Sequence, residues 1–194
     1  MKSVAVLFLL LSFASASDPH APDFFLVRFE TDVPGAFVLN VTRSQAPIGV
    51  DHFAALVEDK FYNQAAFFRV VPGFVVQFGI AGEPAENKRW SKAISDDPVA
   101  GSNTKGTVSY ATAGPNTRTS QLFVNLVDNT RLDKMGFAPF AYVTQGLDVV
   151  EKIFNPTPGD SGGIDQGKYT ADGNPWLKQQ YPKTNFITRA VIEQ

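Results

Sequence analysis

One charge sits inside an apolar run. In FFRVVPGFVVQFG, residues 67–79, Arg69 is flanked by Phe67, Phe68, Val70 and Val71, and a Pro72-Gly73 turn separates it from Phe74, Val75 and Gln77. Side chains alternate across an extended strand. Phe68 and Val70 are therefore expected on one face, with Phe67, Arg69 and Val71 on the other; after the turn, Val75 and Gln77 oppose Val76 and Phe78. A second stretch, GTVSYATAGPNTRTSQLFVNL over residues 106–126, offers Leu122, Val124 and Leu126 to a core and leaves Gln121, Phe123 and Asn125 pointing away. The mixed faces together hold one arginine, two glutamines and two phenylalanines, an apolar floor with a few fixed donors that suits a small ligand. Arginine carries a rigid fork of N–H donors and stays protonated, so the chemistry on offer is orientation and electrostatic stabilisation of an acceptor. Nucleophilic and metal chemistry find little support. The chain has no cysteine, and its two histidines are His20, near the start, and His52, beside a helical apolar stripe and read as a solvated or hydrogen-bonded surface residue.

Both stretches resemble the signature segments of the cyclophilins, the peptidyl-prolyl cis-trans isomerases, and the similarity runs from about Phe24 to Ile192. Rotation about an X-Pro bond meets a barrier of about 20 kcal/mol and takes tens of seconds or longer unaided. No covalent bond has to change; the catalyst must only bind the twisted amide better than either planar form. The resemblance gives Arg69 that task, by a hydrogen bond toward the localised nitrogen lone pair or by holding the prolyl carbonyl. It also makes Phe74, Phe123 and Leu132 the proline pocket, with Val75 where methionine is more usual. Gln77 and Gln121 correspond to glutamines that bond the peptide and orient the arginine, and Ala111 and Thr112 to a segment that pairs with substrate backbone, with Thr112 where asparagine is more usual. No cofactor or metal is implied.

Two departures from the family pattern stand out. In LDKMGFAPFAYV, Phe137 stands where the site histidine is expected, although one extra residue leaves the register open, and Arg131 stands where many members carry tryptophan. Isomerase activity with weak binding of cyclosporin, the family's cyclic-peptide inhibitor, is the expectation. Every site residue also has a plainer reading: Phe74, Phe123 and Leu132 as core, Arg69 as a stacked surface cation, the glutamines as solvated strand positions. A secreted protein that grips proline-bearing segments without useful turnover is the competing function class. A structural or carbohydrate-linked surface protein is a third.

The elements that must position these residues are read as follows. Met1 to Ala16 has the basic head, apolar centre and A-x-A end of a secretory signal peptide, residues 17–23 form a polar, flexible lead, and 24–194 make one domain of the mature chain. A secreted or secretory-pathway location follows, as a monomer, with no membrane association after cleavage. A hydrophobic content of 44% supports a core without disulfides, and a net charge of −2 gives no footprint for nucleic acid. Residues 24–30 and 36–42 read as paired strands, with a sequon at Asn40-Val41-Thr42 that makes Asn40 a candidate glycosylation site on a strand. Pro47 opens a helix whose inner stripe is Val50, Phe53, Ala54 and Val57; a second helix is expected over 147–154 with Leu147, Val150, Ile153 and Phe154 inward. Residues 80–105, around Trp90, and 158–175 read as surface loops, 140–143 as a short strand and 186–192 as the closing strand. Many short strands and few helices suggest a mainly β fold, a closed antiparallel barrel. The family resemblance sharpens this to eight strands capped by two α-helices, with the site on an outer face.

Overall fold

The computed structural model describes residues 20–193; the expected signal peptide lies outside the described residues. Eight strands form one antiparallel sheet: β1 Phe24–Thr31, β2 Ala36–Thr42, β3 Arg69–Val71, β4 Val75–Phe78, β5 Thr107–Tyr110, β6 Leu122–Asn125, β7 Pro139–Gln145 and β8 Ile187–Glu193. They lie in the order β3-β4-β6-β5-β7-β2-β1-β8. The two ends of this order share no ladder. The chain just before each end strand does meet, through an Ala66–Phe186 bridge and the hydrogen bonds Phe67 N–H to Asn185 C=O (3.0 Å) and Ile187 N–H to Ala65 C=O (2.9 Å).

The concave side of the sheet holds the main core. Val27 and Phe29 from β1, Phe37, Leu39 and Val41 from β2, Val76 and Phe78 from β4, and Leu122 and Val124 from β6 are all buried there, at the period-2 spacing of strands. Helix α1, Pro47–Glu58, lays its expected stripe of Val50, Phe53, Ala54 and Val57 on this core. Its N-terminus is capped from elsewhere in the chain: the carboxylate of Asp97 accepts from Ile48 N–H (3.0 Å) and Gly49 N–H (2.8 Å) and is paired with the buried Arg118 at 3.0 Å.

Several expectations need correction. Four α-helices are present among the described residues, not two: α1, α2 (Pro84–Arg89), α3 (Leu147–Glu151) and α4 (Gln166–Gln180). Helix α2 interrupts the expected 80–105 loop, with Pro84 fitting its first turn. Trp90 packs on the core at its end and donates to Asp59 (2.7 Å). Helix α4 occupies most of what reads as the 158–175 loop. Glycines and Pro175 hide it, and it bends at Gly173, where the backbone is non-helical. The second expected helix stops at Glu151, and Phe154 is left 40% exposed. The lead is tied down over 20–23, since Ala21 N–H donates to Asp51 (2.9 Å) and Asp23 C=O accepts from Arg43 N–H (2.9 Å). His52 is half-buried against Trp90 and Tyr110, with its Nε2 buried and unpartnered, and burial lowers its pKa.

Candidate active site on the outer face

Strand β3 begins only at Arg69, and this breaks the alternation expected upstream of it. Phe67 joins the main core with Val70, while Phe68 turns to a second cluster beside Tyr169 and Leu177 of α4. From Arg69 onward the pattern holds. The register sets Arg69 opposite Gln77, Gln77 opposite Phe123 and Phe123 opposite Ser109, a row that crosses β3, β4, β6 and β5. Because successive residues change face, Val75 and Gln77 look outward where Val76 and Phe78 look into the core.

The outward row is wired by hydrogen bonds. Arg69 Nη1 donates to Gln77 Oε1 (2.9 Å), and Gln77 Nε2 donates to Gln121 Oε1 (2.9 Å). Arg69 Nε donates to the Ser161 carbonyl (2.6 Å). These bonds use two of the five guanidinium N–H groups and leave three for a ligand. Burial lowers the Arg69 pKa from its ordinary value, and its bonding partners are neutral oxygens, so the charge is held without a carboxylate.

Beside this polar chain lies an apolar patch separate from the main core: Val75, Phe123 and Leu132 are buried, and Phe74, Ala111 and Phe137 pack on them. Phe123 and Phe137 meet edge to face at 5.6 Å, and the Arg69 guanidinium carbon lies 5.6 Å from the Phe74 ring centre. The polar chain and the patch open into one cleft of about 510 Å³, and all ten residues expected at the site line it: Arg69, Phe74, Val75, Gln77, Ala111, Thr112, Gln121, Phe123, Leu132 and Phe137. Asn40 lies elsewhere, on β2, with its Nδ2 donating to the Tyr142 hydroxyl (3.2 Å). The Ala111 N–H is already spent on Gln121 C=O (2.9 Å), and the Thr112 hydroxyl is turned into its own loop toward Thr117 (2.8 Å). What this edge can offer an extended peptide is the Ala111 carbonyl and the Thr112 backbone.

Sequence reasoning misses two supports. The first is the 158–165 segment, whose Ser161 carbonyl clamps Arg69. Its Gly163 has φ +82°, and a Cβ there would stand 2.6 Å from Arg69 Cβ; the Gly162-Gly163 pair is the signal that could have marked so close an approach. The second is a buried amide network. Asn129 Nδ2 donates to the Phe74 carbonyl (3.0 Å) and to Asn125 Oδ1 (2.8 Å), Asn125 Nδ2 donates to Asn103 Oδ1 (3.2 Å), and Asn103 Nδ2 donates to the Phe137 carbonyl (2.9 Å). Both walls of the apolar slot thus hang from one network, and three asparagines scattered over two loops and the end of β6 give no sequence sign that they meet.

Comparison with known proteins agrees with this geometry. Residues 26–172 match the family model described as cyclophilin type peptidyl-prolyl cis-trans isomerase. A peptidyl-prolyl cis-trans isomerase of Acinetobacter baylyi is 34% identical over 153 residues, covering 76% of this chain and 80% of its own. Peptidyl-prolyl cis-trans isomerase B of Escherichia coli is 34% identical over 175 residues, covering 86% and 98%. The crystal structure of a Cryptosporidium parvum cyclophilin type isomerase superposes with a TM-score of 0.66 at 21% identity, over 88% of this chain and 98% of that one. An outward arginine wired through two glutamines beside an isolated apolar slot, on a fold and sequence shared with these proteins, makes the chain a member of the cyclophilin-type peptidyl-prolyl cis-trans isomerase family.

Proposed function

We propose that this isomerase works on X-Pro bonds in chains passing through the secretory pathway or outside the cell, and that the outer-face cleft is its catalytic site. The observation that carries the site assignment is the placement of Arg69. Its remaining N–H donors stand beside an apolar slot, and among the described residues no acid lines the cleft to balance its charge. The proline ring rests on Phe123, Leu132 and Phe137 with Phe74 at the edge, and the flanking backbone runs along Ala111 and Thr112. As the imide twists, its nitrogen loses conjugation and becomes an acceptor, and the guanidinium meets that developing lone pair or holds the prolyl carbonyl. The apolar wall keeps water from competing, which strengthens the same field. Gln77 and Gln121 fix the guanidinium plane, and Gln121 Nε2 is the free donor at the end of the chain.

The test is cis-trans exchange of a prolyl peptide, followed by NMR, on wild type and Arg69→Ala. The variant is expected to lose about two to three orders of magnitude in kcat/KM, the scale for deleting one preorganised donor, while still binding peptide. Equal rates would reduce the protein to a groove that binds proline without turning it over.

Four further readings belong to the same proposal. The leader-like Met1 to Ala16 supports entry into the secretory pathway. The short Ala66–Phe186 bridge supports reading the sheet as a closed barrel. Asn40, half-exposed on the outer face of β2, would carry a glycan after such entry. Arg131 in place of an aromatic leaves cyclosporin a weak ligand of a monomeric enzyme, and inhibition at low nanomolar drug would contradict that.

A further inference from the structure

Two guanidinium groups share the ring of Phe74, a residue of the cleft wall. The Arg69 guanidinium carbon lies 5.6 Å from the Phe74 ring centre and that of Arg131 lies 4.7 Å from it. The two charges are therefore no more than about 10 Å apart, within one Debye length at 0.1 M salt. Among the described residues, neither has a carboxylate partner. Arg69 is bonded to the Ser161 carbonyl and Gln77, and Arg131, exposed at the start of a 3-10 turn over 130–135, is held only by its stack on Phe74.

The acids nearest Arg131 in sequence are engaged elsewhere. Asp128 accepts from Lys105 N–H (2.8 Å), and Asp133 accepts from Asn103 N–H and Nδ2 (both 2.8 Å) and from Ser102 (2.5 Å). Among the described residues, no Asp or Glu lines the cleft. An aromatic floor under two uncompensated cations has the electrostatics of an anion subsite adjoining the proline slot. Arginine also offers a carboxylate two parallel N–H bonds, which lysine or tryptophan cannot.

We infer that Arg131 makes the enzyme selective for prolyl segments bearing a carboxylate on the residue that follows the proline. The inference rests on the isomerase reading above. With the prolyl carbonyl at Arg69 and the upstream backbone on Ala111 and Thr112, the chain leaves the slot past Phe74 toward Arg131. A glutamate side chain there meets the stacked guanidinium, and a lysine meets repulsion from both arginines.

The experiment uses blocked Ala-Ala-Pro-Xaa-Ala-Ala peptides in which Xaa is Glu, Gln or Lys. Turnover is read by NMR exchange and affinity by chemical-shift titration, on wild type, Arg131→Gln and Arg131→Glu. For wild type at low salt, Glu is expected to exceed Gln by about fivefold in affinity and in kcat/KM, the upper scale of one exposed pair, with Lys below both. Half-molar salt should shrink the ratio. In Arg131→Gln the Glu-to-Gln ratio should fall toward one, and in Arg131→Glu the order should turn toward Lys; ratios are unaffected by any general loss of activity. A wild-type ratio near one, or a ratio that survives in Arg131→Gln, overturns the assignment. Selective binding without turnover of any peptide supports the anion subsite and sinks the isomerase reading instead.

Discussion

At the scale of single residues, the site works with groups that do not titrate near neutrality. Arg69 keeps its proton throughout the working range, since burial lowers its pKa only from a very high ordinary value. Its partners are an amide and a backbone carbonyl, and no histidine lines the cleft among the described residues. Exchange catalysis measured by NMR from pH 5.5 to 8 is therefore expected to be flat within about twofold. A midpoint near 6.5 with the fold intact would reveal a protonation that the cleft residues do not supply. Asp51 gives the opposite case. Hydrogen bonding from Arg43, opposed by partial burial and helped by Ala21 N–H and His20, lowers its pKa from 3.8 to about 2. A depressed carboxylate stabilises the fold above its unfolded pKa and loses that contribution as pH falls through the folded one. Asp51→Asn should accordingly unfold at lower denaturant than wild type at pH 7, and the gap in midpoints should close between about pH 4 and pH 2. The residues that line the cleft were legible because strand alternation sorts them and the family's signature segments name them. The burial of Phe67 in the main core was not, since the ladder starts two residues after it.

At the scale of elements, three short strands and one returning segment hold the proposed site. The row from Arg69 through Gln77 to Phe123 exists because β3, β4 and β6 are in register; alternation around the Pro72-Gly73 turn showed which residues share a face, but not which pair across strands. The 158–165 segment was not readable as part of the site. Its composition says only loop, and contact with Arg69 is a tertiary fact. Gly163→Ala tests what the segment does: a residue with φ +82° costs about 1–2 kcal/mol in a non-glycine, and the new Cβ would push the segment off Arg69. We expect kcat to fall several-fold with KM and peptide affinity nearly unchanged. A proportional rise in KM would show that the segment shapes the slot rather than the guanidinium. Helix α4 escaped sequence reading for a related reason, because its glycines and Pro175 mask a helix that tertiary packing of Tyr169 and Leu177 stabilises.

At the scale of the whole molecule, the long connection between β4 and β5 is fastened by one buried ion pair. Asp97 and Arg118 have side chains 1% and 6% exposed and lie 3.0 Å apart, and Asp97 also supplies the cap that α1 lacks locally. Removing the Asp97 charge leaves the buried Arg118 with only the partly exposed Asp96, 3.3 Å away, so Asp97→Asn should cost about 2–3 kcal/mol, measured as a shift in denaturant midpoint at constant slope. A change under about 1 kcal/mol would mean that Asn replaces both cap bonds and that Arg118 finds water. The overall β architecture was evident from many short alternating segments. The Ala66–Phe186 contact was not, since it joins two stretches with no pattern in common.

Along β4, adjacent residues belong to different compartments: Val75 and Gln77 serve the cleft, and Val76 and Phe78 the interior. Mutational drift can thus retune which clients the enzyme accepts without disturbing the packing that keeps it folded. A scaffold divided in this way is free to diversify on one side of a ribbon while its other side is conserved by stability alone.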